Sequence, residues 1–290
     1  MPESPFSSPT KGKPVGPWVD AHSHLADPRW DQGRDAAIQE AMSKGIGFFL
    51  QGGIGPEDWA AQIALQKRYP AQIGLCFGLH PYWVAAHDED LCEIALDGLA
   101  IQLPQAMALG ETGLDFRPHV MKDSRERQIT LFEQQLELAE AAELPVVLHL
   151  VQAHDEALQI FDLWGVPKRQ GIVHSFNASW PKAQDFLRRG LSLSVGGPVA
   201  RPDNTKLHQA VKEMPLEFLL IETDSPDQPP ARFKGERNPP GSLWDVAESI
   251  ARLRKMTPVE ILDITTANFH RLFGAHGTAD SDHDRTRPAT

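Results

Sequence analysis

The chain has 290 residues, of which 41% are hydrophobic, and its formal net charge is -11 at pH 7. This length and apolar content predict one large folded domain with a hydrophobic core. The negative charge argues against a protein that binds nucleic acid through a broadly basic surface. It does not exclude a nucleic-acid ligand, because two bound divalent cations would supply four positive charges at one place.

Both ends of the chain have the composition of disordered tails. Residues 1–17 are rich in proline and serine, and residues 275–290 are polar. We therefore expect disordered tails at 1–17 and 275–290 around a single domain at 18–274. Cys76 and Cys92 are too few for a disulfide framework, and no signal peptide or apolar run of membrane-spanning length is evident. We expect a cytoplasmic protein without a membrane segment.

Between the tails, short apolar runs alternate with longer amphipathic runs. The short runs predict eight strands, at Trp18–Asp20, Ile46–Gln51, Ile73–Leu79, Ala106–Leu109, Pro145–His149, Ile172–Ser175, Leu191–Val195 and Phe218–Glu222. The longer runs predict helices at Arg34–Ser43, Pro56–Arg68, Asp88–Ile101, Ser124–Glu143, Asp155–Trp164, Pro181–Arg188, Asn204–Glu213, Ser242–Arg254 and Pro258–Phe273. This alternation predicts an α/β protein with a (β/α)8 TIM-type barrel, although a doubly wound sheet would look similar.

The first predicted strand runs into the segment Asp20-Ala21-His22-Ser23-His24. In an extended chain, side chains two residues apart share a face, so His22 and His24 point the same way and could bind one metal ion. Asp20 falls on the same face. Two histidines at this spacing are, by themselves, a weak indication of a metal site.

Four more metal-capable side chains lie at or just past the ends of predicted strands, namely Glu111, His149, His174 and Asp224. In a barrel, the C-terminal ends of the strands converge on one face, where active sites are built. An open sheet would spread the same residues along an edge. Their placement therefore favours the barrel and predicts a shared site.

Each of these residues also has a structural interpretation. A histidine that ends an apolar run, such as His149 or His174, is often a hydrogen-bonded core residue. Glu111 is harder to explain in this way, because a carboxylate between an apolar strand and a glycine turn is costly to bury without a cation. Either Glu222 or Asp224 could be a strand-end cap.

Eight ordered motifs span the chain from Val19 to Phe273. They are Asp20-Ala21-His22-Ser23-His24, Gly78-Leu79-His80-Pro81, Gly110-Glu111-Thr112-Gly113-Leu114-Asp115, Leu144-Pro145-Val146-Val147-Leu148-His149, Val173-His174-Ser175-Phe176, Leu220-Ile221-Glu222-Thr223-Asp224-Ser225-Pro226, Arg237-Asn238-Pro239-Pro240 and Asn268-Phe269-His270-Arg271-Leu272-Phe273. In these motifs the chain resembles the TatD-type metal-dependent hydrolases, a barrel family of divalent-metal deoxyribonucleases within the wider amidohydrolase-like group.

The resemblance implies a ligand set for two divalent metal ions. His22, His24 and Asp224 would bind one ion, and His149 and His174 would bind the other. Glu111 would bridge them, as a bridging carboxylate must in a two-metal hydrolase. Histidine and carboxylate ligands suit zinc, manganese or iron and do not exclude Mg²⁺.

The implied activity is that of a deoxyribonuclease, 3′-5′ exonuclease-like, that cleaves phosphodiester bonds by a two-metal attack of water. We expect Glu111 and Asp224 to be catalytic, with Asp224 taking the proton of the water. The expected partner is DNA, preferably single-stranded or at its ends. Protein partners are not predicted.

The substrate contacts are less well defined by the sequence. Relatives commonly carry Ser-Arg after the histidine that matches His149, whereas here Leu150-Val151 follow, and Asn177-Ala178 replace the usual Ser-Gly. The missing charge could come from Arg117, Arg201, Lys234 or Arg237. The candidate substrate contacts are His80, Arg117, Arg237 and Asn238, and Trp83 could stack on a base.

Two other functions stay open from the sequence. The same ligands could serve a hydrolase of a different ester or an amide, because they activate water without choosing the electrophile. A non-catalytic scaffold is the second alternative, which the complete ligand set disfavours.

Overall fold

The structure, a computed structural model of the chain, describes residues 17–274. Both predicted tails lie outside the described residues, apart from Pro17.

Strands and helices alternate along the described chain. The strands are β1 (Trp18–Ser23), β2 (Ile46–Gln51), β3 (Ile73–Gly74), β4 (Cys76–Phe77), β5 (Ala108–Asp115), β6 (Val146–Val151), β7 (Gly171–Val173), β8 (Ser192–Val195) and β9 (Leu219–Ile221). The helices are α1 (Arg34–Ser43), α2 (Pro56–Arg68), α3 (Pro81–Ala86), α4 (Glu89–Gln102), α5 (Pro118–Met121), α6 (Arg125–Ala141), α7 (His154–Trp164), α8 (Trp180–Leu187), α9 (Thr205–Glu213), α10 (Leu243–Arg254) and α11 (Pro258–Phe273).

All paired strands run parallel, in the orders β1-β2-β3 and β4-β5-β6-β7-β8-β9. β3 and β4 are two halves of the single strand predicted at Ile73–Leu79, and only Leu75 separates them. The first half pairs with β2 and the second half with β5. The sheet therefore follows the chain order, as the predicted barrel requires.

The seam between β9 and β1 has no ladder pairing in the described chain, but it is joined at its C-terminal end. The Asp224 N–H donates to the His22 carbonyl at 3.0 Å, and the His24 N–H donates to the Ser225 carbonyl at 2.7 Å. The Asp20 carboxylate accepts the N–H and the hydroxyl of Thr223, at 2.9 and 2.5 Å.

Asp20 does not share a face with His22 and His24, contrary to our prediction. The pairing of β1 with β2 is irregular between Asp20 and Ser23, and the Asp20 carboxylate contacts Thr223 at the seam instead of Glu111. Burial of the Asp20 carboxyl raises its pKa to about 8. The hydrogen bonds from Thr223 lower the pKa but do not offset the effect of burial.

The hydrophobic core has two layers. The outer layer packs the helices against the strands. The inner layer is formed by side chains from the strands and by two phenylalanines of α11, namely Val19, Ala21, Leu50, Cys76, Ala108, Val147, Ile172, Leu220, Phe269 and Phe273. α11 lies at the start of β1, where Thr266 Oγ1 accepts the Val19 N–H at 3.2 Å. It therefore covers the N-terminal end of the strands.

β5 is longer than the predicted strand Ala106–Leu109 and continues to Asp115. We ended the strand too early because Gly110 and Gly113 have low strand propensity. A Cβ on Gly113 would lie 2.2 Å from the His149 carbonyl oxygen, so glycine is needed for the approach of β6. As a result, Glu111 lies inside a strand. The short helix α3 was also not predicted.

We predict that Phe269→Ala strongly destabilises the fold. Phe269 is 1% exposed and stacks on Phe273 with ring centroids 4.6 Å apart. Truncating a buried phenylalanine typically costs about 3–5 kcal/mol of unfolding free energy. Urea unfolding would measure the loss. As a control, Val259→Ala on the same helix, at a side chain that is 43% exposed, should change stability by no more than about 0.5 kcal/mol. Similar values for the two variants would show that α11 does not close the inner core.

Candidate metal centre

A cavity of about 1170 Å³ lies at the C-terminal ends of the strands. Its walls come from the loops after β1, β2, β4, β6, β7 and β9 and from β5. Five of the six predicted metal ligands line it, namely His24, Glu111, His149, His174 and Asp224, and the sixth, His22, is buried beside them. The structure thus brings all six together.

The first group of ligand atoms surrounds Oε1 of Glu111. The Nε2 atoms of His22 and His24 lie 3.2 Å from each other and 3.5 and 3.2 Å from this oxygen. Asp224 Oδ1 lies 3.7 and 3.4 Å from the same two nitrogens. Four ligands at ~2.0–2.2 Å from a tetrahedral ion are separated by ~3.3–3.6 Å. The distances of the two histidine nitrogens to each other and to the two carboxylate oxygens are close to this range, and His22, His24 and Asp224 form a group that could hold a metal ion.

The second group surrounds the other oxygen of Glu111. Oε2 lies 2.7 Å from His174 Nε2 and 3.3 Å from His149 Nδ1, and these two nitrogens are 3.2 Å apart. The two oxygens of one carboxylate thus face two separate groups of ligands.

His80 belongs to the second group rather than only to the substrate contacts that we predicted. Its Nε2 lies 3.2 Å from His149 Nδ1 and 3.7 Å from Glu111 Oε2. Its Nδ1 accepts the Tyr82 N–H at 2.9 Å, at the start of α3. Burial and the neighbouring His149 lower the pKa of His80 well below the usual value. A neutral ring whose Nδ1 accepts a hydrogen bond carries its proton on Nε2, so His80 presents a donor to the site.

The charge of Glu111 is compensated by its histidine neighbours. Burial favours the neutral acid, yet His174, His22, His80 and His24 hold the pKa of this carboxyl well below its usual range. Burial likewise opposes charge on His174, but Glu111 raises the pKa of His174 well above its usual value. Oε1 of Glu111 is buried and receives no hydrogen bond from the described residues. A cation is the partner that such an oxygen lacks.

Gly52 leaves room for the first group. A Cβ on this residue would lie 2.4 Å from Cε1 of His22, 2.6 Å from Cε1 of His24 and 2.7 Å from Glu111 Oε1. In the sequence, Gly52 begins the glycine-rich segment 52–56, which a tight turn between a strand and a helix would also explain. Its position directly after a strand end was the available signal for close approach to a site.

Asp115 supports the second group and was not assigned a role from the sequence. Its buried Oδ2 lies 3.2 Å from Nε2 of His149, the ring nitrogen that faces away from Glu111. Carboxylates in this position commonly orient metal-binding histidines. The signal was its place at the end of the same motif as Glu111.

Arg117 lines the cavity as predicted for a substrate contact, but its charge is already paired. Its guanidinium binds both oxygens of Asp115, with the shortest contact at 2.5 Å, and packs over the ring of Tyr82. Arg29, which we did not predict, also lines the cavity and forms ion pairs of 2.7 Å with Asp27 and Asp227. Both arginines of the cavity wall are therefore paired with carboxylates.

Arg237 and Asn238 do not line the cavity, and their role as substrate contacts stays a prediction. Arg237 donates to the carbonyl of Arg29 and packs on the ring of Trp30. The Asn238 amide donates to the carbonyls of Thr223 and Asp227 at 2.6 and 2.8 Å. These hydrogen bonds hold the loop that carries Asp224. Arg201 and Lys234 do not line the cavity either.

Glu222 and Asp224 have different tasks. Glu222 is buried, accepts the Ser175 N–H at 2.6 Å and lies 3.6 Å from His174 Nδ1, so it supports the second group. Asp224 faces the first group. Burial opposes ionisation of Asp224, but a hydrogen bond with His24 and the nearby histidines lower its pKa to about 2.

Two aromatic side chains form part of the cavity wall. Trp83, the candidate for base stacking, stacks on His87 with ring centroids 4.0 Å apart. Tyr82, which the sequence did not single out, is 42% exposed and lines the same wall.

Comparison with known proteins gives the family. A sequence model described as TatD related DNase matches residues 19–274. The uncharacterized metal-dependent hydrolase YjjV of Escherichia coli is 31% identical over 88% of this chain and 97% of its own. Human deoxyribonuclease TATDN3 is 28% identical over 88% of this chain and 94% of its own. The 3′-5′ ssDNA/RNA exonuclease TatD of Erwinia tasmaniensis is 28% identical over 88% and 98%.

Solved structures agree with this result. The crystal structure of E. coli YjjV superposes with a TM-score of 0.82, at 31% identity, over 89% of this chain and 98% of that one. A TatD family hydrolase from Entamoeba histolytica gives a TM-score of 0.77 at 19% identity, over 90% and 99%, and supports the fold alone. The predicted TIM-type α/β fold is thereby confirmed. The chain belongs to the TatD-related DNase family of metal-dependent hydrolases.

Proposed function

We propose that this hydrolase is a deoxyribonuclease that uses two divalent cations to cleave phosphodiester bonds from the end of a DNA strand. One observation carries the proposal. The two oxygens of the buried Glu111 carboxylate face two separate groups of ligand atoms. One shared carboxylate between two nitrogen-rich groups is the donor arrangement that a two-metal site needs.

The ligands divide between the two cations as the resemblance implies. His22, His24 and Asp224 would hold the first cation, and His149 and His174 the second, with Glu111 shared. When bound, the cations neutralise charge on the phosphodiester and make a water molecule more acidic. The choice among Mg²⁺, Mn²⁺ and Zn²⁺ is left to experiment.

The chain's own residues then carry out three tasks. Asp224, ionised and beside the first group, accepts the proton of the attacking water. His80 directs its Nε2–H toward His149 Nδ1 in the second group, and there it would donate to an oxygen of a bound substrate. Asp115 orients His149, and Glu222 places a carboxylate 3.6 Å from His174 Nδ1.

The substrate class is supported by the names of relatives, which include a deoxyribonuclease and a ssDNA/RNA exonuclease. The tyrosine and tryptophan rings at the cavity wall could stack on bases. We further propose that single strands are preferred, because a cavity at a barrel mouth admits a strand end more readily than the middle of a duplex.

A second candidate is hydrolysis of a small ester or amide. The paired charges of Arg29 and Arg117 favour it, because neither arginine is free to bind a phosphate chain. Labelled single- and double-stranded DNA, RNA, and ester and amide substrates, each tested with Mg²⁺, Mn²⁺ and Zn²⁺, would separate the two candidates. Inactivity of all nucleic acids alongside turnover of an ester would reject the nuclease. Inactivity of every substrate would favour the scaffold alternative.

Two features bear on the cellular setting. Cys76 and Cys92 are free and buried. No helix within residues 17–274 is long and apolar enough to cross a membrane. The cytoplasmic location stays a prediction from the sequence.

We predict that divalent cations stabilise the fold. Binding to the native state alone adds about 2.7 kcal/mol to the unfolding free energy at a hundredfold excess over Kd. Thermal melts in Mg²⁺, Mn²⁺ or Zn²⁺ against chelator would measure this as a rise in Tm. Glu111→Gln should lose most of the rise, whereas Glu126→Gln, at an exposed side chain on α6, should keep it. The same Tm in chelator and in all three metals would contradict a metal site.

Asp224→Asn tests the base. The variant keeps the shape of the side chain but removes its charge and its proton affinity, so we expect turnover at saturating metal to fall by at least ~10²-fold. Steady-state kinetics on a single-stranded substrate would show the loss in kcat. Glu222→Gln retains an oxygen for the Ser175 N–H and should lose less. Equal losses in both variants would mean that the proton acceptor has been assigned to the wrong carboxylate.

The dependence of binding on salt tests how an acidic protein holds DNA. The net charge is -11 and both arginines of the cavity wall are paired, so few phosphates can be engaged. We expect weak binding with a log–log salt slope of about -1 to -3. Fluorescence anisotropy over a salt series would measure it. A slope steeper than about -6 would reveal an extended basic surface.

Closed circles test the need for an end. End-labelled linear strands should shorten stepwise in a gel time course, and covalently closed single-stranded circles should resist. Efficient cutting of circles would contradict attack from the end.

A further inference from the structure

Gln228 connects the two loops that carry ligands. It lies in the loop after β9, lines the cavity and follows Asp224 by four residues. Its amide nitrogen Nε2 donates to Asp224 Oδ2 at 2.6 Å and to Ser175 Oγ at 2.5 Å. Ser175 adjoins His174 in the loop after β7. One amide therefore contacts a ligand of the first group and the neighbour of a ligand of the second.

The two carboxylate oxygens of Asp224 have different partners. Oδ1 faces the nitrogens of His24 and His22 at 3.4 and 3.7 Å, whereas Oδ2 accepts the hydrogen bond from Gln228. Rotation of an aspartate carboxylate about its last torsion is weakly restricted by the side chain itself. The hydrogen bond to Oδ2 therefore selects the orientation in which Oδ1 faces the histidines.

The backbone of the loop is shaped for this contact. Asp224 and Gln228 both have left-handed backbone conformations, with φ of 56° and 49°. The Asp227 N–H donates to the Asp224 carbonyl at 2.7 Å and closes a turn between them. This turn brings the Gln228 side chain close to Asp224.

We propose that Gln228 is a positioning residue that fixes the Asp224 carboxylate and thereby sets the cation affinity of the His22–His24–Asp224 group. The inference rests on the proposed function in that it takes this group to be a cation site. Mutation of a group that hydrogen-bonds to a metal ligand commonly weakens metal affinity by roughly 10–100-fold.

Mn²⁺ binding to the full chain tests the proposal without any assay of activity. The free-ion EPR signal during titration gives the dissociation constant. Gln228→Met keeps the length of the side chain but removes the donor, and we expect Mn²⁺ binding to weaken roughly 10–100-fold. Gln170→Met is the matched control, because Gln170 also has a left-handed backbone, with φ of 58°, but precedes β7 at the opposite end of the barrel. It should bind Mn²⁺ like the wild type.

Two more variants separate positioning from general damage to the loop. Ser175→Ala removes the other acceptor of Gln228 and should weaken Mn²⁺ binding much less than Gln228→Met. In an Asp224→Ala background, adding Gln228→Met should cause no further loss, because the residue acts through Asp224. The Tm of the single variant Gln228→Met in chelator should match that of the wild type.

The outcomes distinguish this inference from the proposed function. A wild-type protein that binds no Mn²⁺ would overturn the cation site, and with it the inference. Normal Mn²⁺ binding by Gln228→Met, or the same loss in the Asp224→Ala background as in the wild type, would overturn only the role of Gln228. A large fall in Tm of Gln228→Met in chelator would also overturn it, since the effect would then be one of folding.

Discussion

A buried carboxylate needs positive charge or hydrogen-bond donors around it, and this requirement at Glu111 organises the mouth of the barrel. Glu111 is 1% exposed and lies within the central part of β5. Its oxygens are approached by histidines from four other strands, namely His22 in β1 and His24 just after it, His80 after β4, His149 in β6 and His174 after β7. A parallel barrel is the architecture that brings so many strand ends to one point.

Along the inward face of β6 and β7, the side chains change from apolar to metal-capable toward the C-terminal end of the strand. On β6, Val147 belongs to the apolar inner layer and His149, two residues later, belongs to the site. Ile172 and His174 repeat this change at β7. Side chains two residues apart share a face of a strand. A histidine that follows an inward-facing apolar residue by two positions, at the end of the strand, therefore faces the barrel mouth. For this reason the position of His149 and His174 at the barrel mouth could be predicted from sequence alone.

Other parts of the site depend on contacts that a linear pattern does not contain. The need for Gly113 in a strand is set by the His149 backbone, and the space at Gly52 is set by His22 and His24. The sequence motif around Asn238 was recognisable, but the motif could not tell a residue that binds a ligand from one that holds a loop. Most strands and helices were predictable because their hydrophobic periodicity is local, whereas the pairing of Arg117 with Asp115 and of Arg29 with Asp227 follows only from the packed loops.

These pairings link closure of the fold to the chemistry of the site. The contacts that join β9 to β1, from Asp20 to Thr223 and from Arg29 to Asp227, also fix the loop that carries Asp224. Arginines used for this purpose are not available to bind phosphate. In a chain with a net charge of -11, attraction for an anionic substrate must then come from the cations that the histidines and Glu111 would hold. Under the proposed function, substrate binding is therefore conditional on the metal, and a metal-free protein would repel DNA as well as fail to cleave it.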